Sequence, residues 1–226
     1  MKRFIAFILS IILGLSFTVS LAAALPAPQS IVQFGVYPQG ASGEVLPINW
    51  KVLEIKDNIA YLMSKNILFA ARIHHDQRKY PGFAKSELNG ILNGEFLNSA
   101  FTQEEQKALF ESEFGFVSLP SVEDLKNPDF GFKSNKDRCT FIGTDYAVNN
   151  GLFRYSSRPY SPIWTRTESD KKHANRSTKV KGNIGFIGVE SEDLGVMPVI
   201  WLNLDNVNMV SGTGLEDLPL VLEVKP

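Results

Sequence analysis

Apolar and polar residues alternate from Pro47 to Ile55: Ile48, Trp50, Val52 and Leu53/Ile55 are apolar, whereas Asn49, Lys51 and Glu54 are polar. A period of two is that of a strand with one buried face. Asp57-Asn58 reads as a hairpin turn, and Ile59 to Ser64 as the returning strand. Upstream, residues 30–37 favour β-structure, and Pro38 ends that run because it has no N–H for a ladder. Ile67 to Ile73 is a further strand or strand end. These segments predict a small antiparallel meander, with Trp50 in its core and Gly35 and Pro38 shaping the turn that follows the first strand.

The period changes after Phe83. Leu88, Leu92 and Phe96 stand at i, i+4 and i+8, one face of a helix. Ser86 is its N-cap; Gly90 weakens it and Gly94 ends it. Thr102 and Glu105 form a capping box that opens a second short helix through Phe110. Residues 115–119 read as a strand, and Ser121 caps a third helical turn through Leu125.

Residues 127–161 are rich in Gly, Asn, Ser and aromatics and follow no steady period. Such a stretch is expected to be mobile or to carry a binding surface. Strands are predicted at 163–167, 183–190, 195–203 and 218–224, with a polar excursion at 168–178. There is no internal repeat and no interdomain linker, so residues 30–226 read as one domain. The fold class is α+β: antiparallel sheets, two or three short helices and long irregular loops.

The first 24 residues stand apart. Lys2-Arg3, an apolar run from Phe4 to Val19 and Ala22-Ala23-Ala24 match a secretory signal peptide cleaved after Ala24. An uncleaved anchor is the competing reading, because the run to Leu25 is long enough to span a bilayer. Cleavage predicts an exported protein, periplasmic, secreted or at the cell surface, with no membrane attachment of its own. Without Lys2 and Arg3 the 23 basic residues become 21 against 24 acidic, a formal charge of −3. That balance leaves no basic stripe for nucleic acid. The single cysteine, Cys139, makes no intramolecular disulfide and is expected to be a small buried hydrophobe.

Few residue patterns suggest chemistry. His74-His75-Asp76 is the obvious metal candidate, but neighbours on a strand point to opposite faces. At most two of the three then share a site, and His173 lies far along the chain, so a solvated loop is the favoured reading. No Gly-x-Ser-x-Gly is present, and the paired carboxylates Glu104/Glu105 and Glu192/Asp193 have capping or turn roles to fill. Asn203, Asp205, Asn206 and Asn208 are rich in oxygen, yet alternation splits them into pairs too small for calcium. No metal, other cofactor or catalytic residue is therefore assigned. The best candidates for a ligand surface are Tyr155, Arg158, Trp164, Arg166 and Asp170. Aromatics and arginines dominate binding hot spots, and Trp164 and Arg166 share a face of one strand. The competing reading makes Trp164 core and Arg166 a buried ion-pair partner of Asp170 or Glu168.

Several short motifs carry a resemblance. They are Phe34-Gly35-Val36-Tyr37-Pro38-Gln39, Pro47-Ile48-Asn49-Trp50-Lys51-Val52-Leu53, and Leu88-Asn89, Leu92-Asn93 and Phe96. Ala100-Phe101-Thr102 with Glu105, Leu119-Pro120-Ser121 with Glu123, Trp164 with Arg166-Thr167, and Gly195-Val196-Met197-Pro198-Val199-Ile200-Trp201-Leu202 complete the set. In this order the chain resembles an exported or surface-associated bacterial domain family of unknown function, from about Ile31 to Leu204. That family is similar to the C-type-lectin-like fold, shared with formylglycine-generating enzymes and surface-adhesion modules. The resemblance implies a mixed domain with curled antiparallel sheets. Met197 stands where the family commonly has arginine, and one thiol does not suffice for formylglycine chemistry. The reading that follows is an exported, non-enzymatic binding module with a cell-envelope glycan or protein as ligand. A cell-envelope enzyme is the alternative.

Overall fold

A computed structural model describes residues 25–169 and 174–226. The proposed leader, Asp170 and His173 lie outside the described residues. The early strands are β1 (Ile31–Pro38), β2 (Val45–Lys56), β3 (Ile59–Ser64), β4 (Phe69–Ala70) and β5 (Val117–Ser118). The later ones are β6 (Trp164–Glu168), β7 (Ala174–Thr178), β8 (Ile184–Gly188), β9 (Gly195–Val196), β10 (Val199–Asn203), β11 (Val207–Ser211) and β12 (Leu220–Val224). Short helices are α1 (Glu87–Ile91), α2 (Leu97–Ala100), α3 (Gln103–Lys107) and α4 (Asp145–Asn149). The class is α+β, as the sequence predicts.

Seven strands form the central sheet, in the order β11-β12-β1-β2-β3-β10-β5. All its pairings are antiparallel except β1 with β12. The turn between β2 and β3 holds Asp57 at φ 50° and Asn58 at φ 58°, the left-handed pair that a tight hairpin requires. Gly35 does not serve a turn. It sits at φ 68° where the β1–β2 register shifts, and a Cβ there would meet the Phe101 ring at 2.5 Å. It is a bulge glycine, admitting an aromatic ring against the strand.

The sheet separates two apolar clusters. Ile48, Trp50 and Val52 of β2, Ala60 and Leu62 of β3, and Ile200 and Leu202 of β10 face the larger one. Trp50 is fully buried, stacks on Phe101 at 6.2 Å and donates from its indole nitrogen to the Phe34 carbonyl at 2.7 Å. The alternate residues Tyr61, Met63 and Val199 face the other cluster, with Leu53 of β2 joining them beyond a register shift. That second core is completed by Leu125, from the turn that Ser121 caps, and by Phe130, Phe132, Phe141 and Leu152, from the stretch expected to be mobile or ligand-facing. Its aromatics turn inward and make much of it a structural cover. Met197 packs in the same cluster.

The helical face predicted from Leu88, Leu92 and Phe96 is buried, and Ser86 caps α1 through the Asn89 N–H at 3.2 Å. Gly94 does not end the run. A single wide π-helical turn, Leu92–Phe96, carries the chain on into α2. Asn93, in that turn, donates to the carbonyls of Asn89, Phe114 and Val117 and accepts from the Val117 N–H at 3.0 Å. The wide turn is tied to β5 through one amide side chain. Asn93→Ala is therefore expected to destabilise the domain by about 2 kcal/mol, because it strands backbone groups of the strand. A urea midpoint within error of the parent would refute this.

The capping box at α3 is complete: the Glu105 N–H donates to Thr102 Oγ1 at 3.2 Å, and the Thr102 N–H donates to the Glu105 carboxylate at 2.7 Å. The polar excursion is the largest departure from expectation. Its second half, Ala174–Thr178, forms β7, the middle strand of the sheet β6-β7-β8. Asn175 is fully buried there because its amide donates to the Thr165 carbonyl at 2.7 Å and the strand's backbone pairs on both sides. Val207–Ser211 adds β11, also not foreseen. Cys139 is half-buried rather than core, while its neighbour Arg138 turns inward and donates to the carbonyls of Gly182 and Leu125, each at 2.6 Å. Among the described residues no helix is long and apolar enough to cross a membrane.

Candidate functional site

The strand β6 was expected to present Trp164 and Arg166 together. Its ladder with β7 shifts register between Trp164 and Glu168, and strict alternation is lost. Trp164 is fully buried in the larger core, its indole nitrogen donating to the Ala71 carbonyl at 2.7 Å. It is a framework residue and no ligand can reach it. Arg166 takes a different course: it is largely covered but keeps a small part of its side chain open to solvent.

Arg166 Nη1 lies 3.1 Å from Asp124 Oδ2, donates to the Tyr61 hydroxyl at 3.1 Å and donates to the Leu119 carbonyl at 2.5 Å. Its guanidinium also sits over the Phe114 ring at 5.6 Å. Asp124 accepts from the Tyr61 hydroxyl at 2.7 Å and from the Ser121 N–H at 2.7 Å, while Ser121 caps the Asp124 N–H at 2.9 Å. The Ser121 cap predicted from the sequence thus fixes the carboxylate that holds Arg166. Glu168, one of the two partners expected for Arg166, instead accepts from the Phe83 N–H at 3.0 Å.

Tyr61 stands opposite Trp201 in the β3–β10 register, and the two rings stack at 4.9 Å and 18°. Cross-strand aromatic pairs of this kind pack by direct apposition. Phe130 meets the Tyr61 ring edge-on at 6.0 Å. A cleft of about 550 Å³ opens here, lined by Tyr61, Phe110, Asp124, Phe130, Arg166 and Trp201 among others. Phe110 is 54% exposed and Trp201 half-buried, so two aromatic faces are open to a ligand beside an ion pair.

The electrostatics suit binding better than proton transfer. Burial, reinforced by the Asp124 carboxylate, pushes the Tyr61 hydroxyl far above the ordinary phenol range. It remains a donor to Asp124. Burial works against the Arg166 charge, but Tyr61 and Asp124 outweigh it and hold the guanidinium protonated. Each polar group of the triad is already engaged by another, which fixes the cleft wall in one arrangement.

Tyr155 and Arg158 lie elsewhere and share no partner with Arg166 among the described residues. Tyr155 packs edge-on against Phe153 at 5.2 Å and Tyr160 at 5.7 Å, and exposed Arg158 covers the Tyr160 ring at 5.8 Å. The five candidates therefore separate into a surface patch, a core residue, a cleft residue and Asp170. Tyr61, Asp124, Phe110 and Trp201 were missed. Trp201 and Tyr61 carried a signal only as aromatics within predicted strands, and their apposition is set by long-range pairing.

The oxygen-rich segment after β10 has local work. Asn203 Oδ1 accepts from the Asp205 N–H at 2.9 Å, and Asp205 accepts from the Asn58 amide at 3.1 Å. Among the described residues one group, His74, His75 and Glu87, brings three potential metal-ligating side chains together. No family model, curated protein or solved structure matches this chain.

Proposed function

We propose that this chain is an exported, non-enzymatic binding module, related to the C-type-lectin-like domains, that takes a cell-envelope glycan in the Tyr61–Trp201–Arg166 cleft. The observation that carries the reading is the pairing of open aromatic faces at Phe110 and Trp201 with the fixed Arg166–Asp124 ion pair. A pyranose offers an apolar C–H face for the rings and hydroxyls for the charged pair. The leader-like N-terminus and the ordered motifs from Ile31 to Leu204 support export and the family relation.

A glycan array on the purified protein, followed by titration of the best ligand, tests this. Trp201→Ala is expected to weaken binding ten-fold or more, about 1.4 kcal/mol, with the melting temperature lowered by only a few degrees. Binding that survives this variant unchanged removes the cleft as the site. Turnover of an envelope polymer by the parent protein favours the enzyme reading instead.

A further inference from the structure

His74, His75 and Glu87 do not lie on a strand. His74 and His75 follow β4 in irregular backbone, so the alternation that would send neighbours to opposite faces does not apply. Their rings lie 5.0 Å apart, and one potential ligand atom from each of the three residues falls within 4.8 Å of the other two. Asp76, the third member expected from the sequence, is occupied in capping a turn and accepts from the Arg78 N–H at 2.9 Å. Glu87 takes its place from the first turn of α1.

We propose that His74, His75 and Glu87 form a binding site for a zinc-type divalent transition-metal ion. Two imidazoles and one carboxylate are a donor set that zinc accepts, whereas calcium and magnesium prefer oxygen alone. His74 Nδ1 is shut off from solvent with no hydrogen-bond partner. An unsatisfied buried nitrogen is costly, and coordination gives the ring a partner that the protein does not supply.

The three residues are also held in place. The N–H groups of Ile73 and His74 both donate to the Val189 carbonyl, at 2.9 and 3.0 Å. Glu87 Oε2 accepts from the His75 N–H at 2.8 Å and faces Arg72 Nε at 3.4 Å, while Oε1 faces His75 Nδ1. The Arg72 contact is an outer one, of the kind that orients a liganding carboxylate. Zinc–ligand bonds of about 2.0–2.2 Å require the donor atoms to rearrange, because His75 Nδ1 and Glu87 Oε1 now contact each other directly. Exposed His75 has the freedom to turn out of that contact and share the ion with Glu87. Glu87 and Arg72 also border a broad cleft of about 1060 Å³, which leaves the remaining coordination positions to water.

The test is calorimetric titration of the purified, untagged protein with zinc chloride, with magnesium chloride as comparison. One zinc per chain is expected, with dissociation constants at least about ten-fold weaker in His75→Gln and in Glu87→Gln. His75 is exposed, so its replacement spares the fold, and circular dichroism verifies this. Absence of saturable zinc binding by the parent, or equal affinity in both variants, overturns the site. Either result leaves the glycan reading untouched, because the two sites share no residue.

Discussion

Trp50→Ala is expected to cost about 3–5 kcal/mol and to lower the melting temperature by roughly 10 °C. The side chain is fully buried at the centre of the sheet, against Phe101, and no solvent-facing neighbour can collapse into the space it leaves. Two losses combine: a large aromatic volume, and the bond from its indole N–H to the Phe34 carbonyl. Trp50→Phe separates them, because it keeps most of the stacking and gives up the bond, at about 1–2 kcal/mol. Thermal melts by circular dichroism measure both. A drop of less than about 3 °C for Trp50→Ala would place that residue outside the stability core.

Arg166→Ala is expected to cost about 3 kcal/mol, from a different cause. Asp124 and Arg166 are largely covered, at 13% and 17% side-chain exposure, so the lone carboxylate cannot recover its hydration. The Leu119 carbonyl loses a donor at the same time. Removing both charges in Arg166→Met/Asp124→Asn is expected to recover more than half of the loss, because no unpaired charge remains. Urea denaturation of Arg166→Met, Asp124→Asn and the double variant gives the coupling. An unchanged Arg166→Ala midpoint together with lost ligand binding would make Arg166 a ligand group and not the pin of the cleft wall.

The parts of this fold that are written locally were legible. Asp57-Asn58 needs only its own two residues to make a hairpin, and Ser86, Thr102 and Ser121 need only the next three to make caps. Leu88, Leu92 and Phe96 declare a buried face by spacing alone. Strand β7 was hidden because three of its four buried residues are polar: Asn175, Ser177 and Thr178 carry no hydrophobic period. Gly94 misled because helix-ending chemistry was read without the π turn that Asn93 secures.

The cleft was legible only in fragments. Arg166 was found by residue type, but its partner comes from a separate turn and its aromatic neighbours from β3 and β10. Trp164 is core, as one of the two sequence readings had it, and a register shift in β6 breaks the alternation that would join it to Arg166 on a ligand face. The strand rule limited His74, His75 and Asp76 to at most two in one site, and it does not apply where these residues lie in irregular backbone.

The parallel pairing of β1 with β12 has a kinetic consequence. Val32 pairs with Leu220, and Gln33 with Val221, across almost the full length of the described chain. Leu220 and Leu222 are both buried. During synthesis the free edge of β1 stays open until the 220s have emerged, whereas the β2–β3 hairpin can close at once. Long-range parallel closure of this kind is entropically late and slow. The meander around Trp50 is therefore the natural place for order to begin, and residues 220–224 set when the sheet is complete.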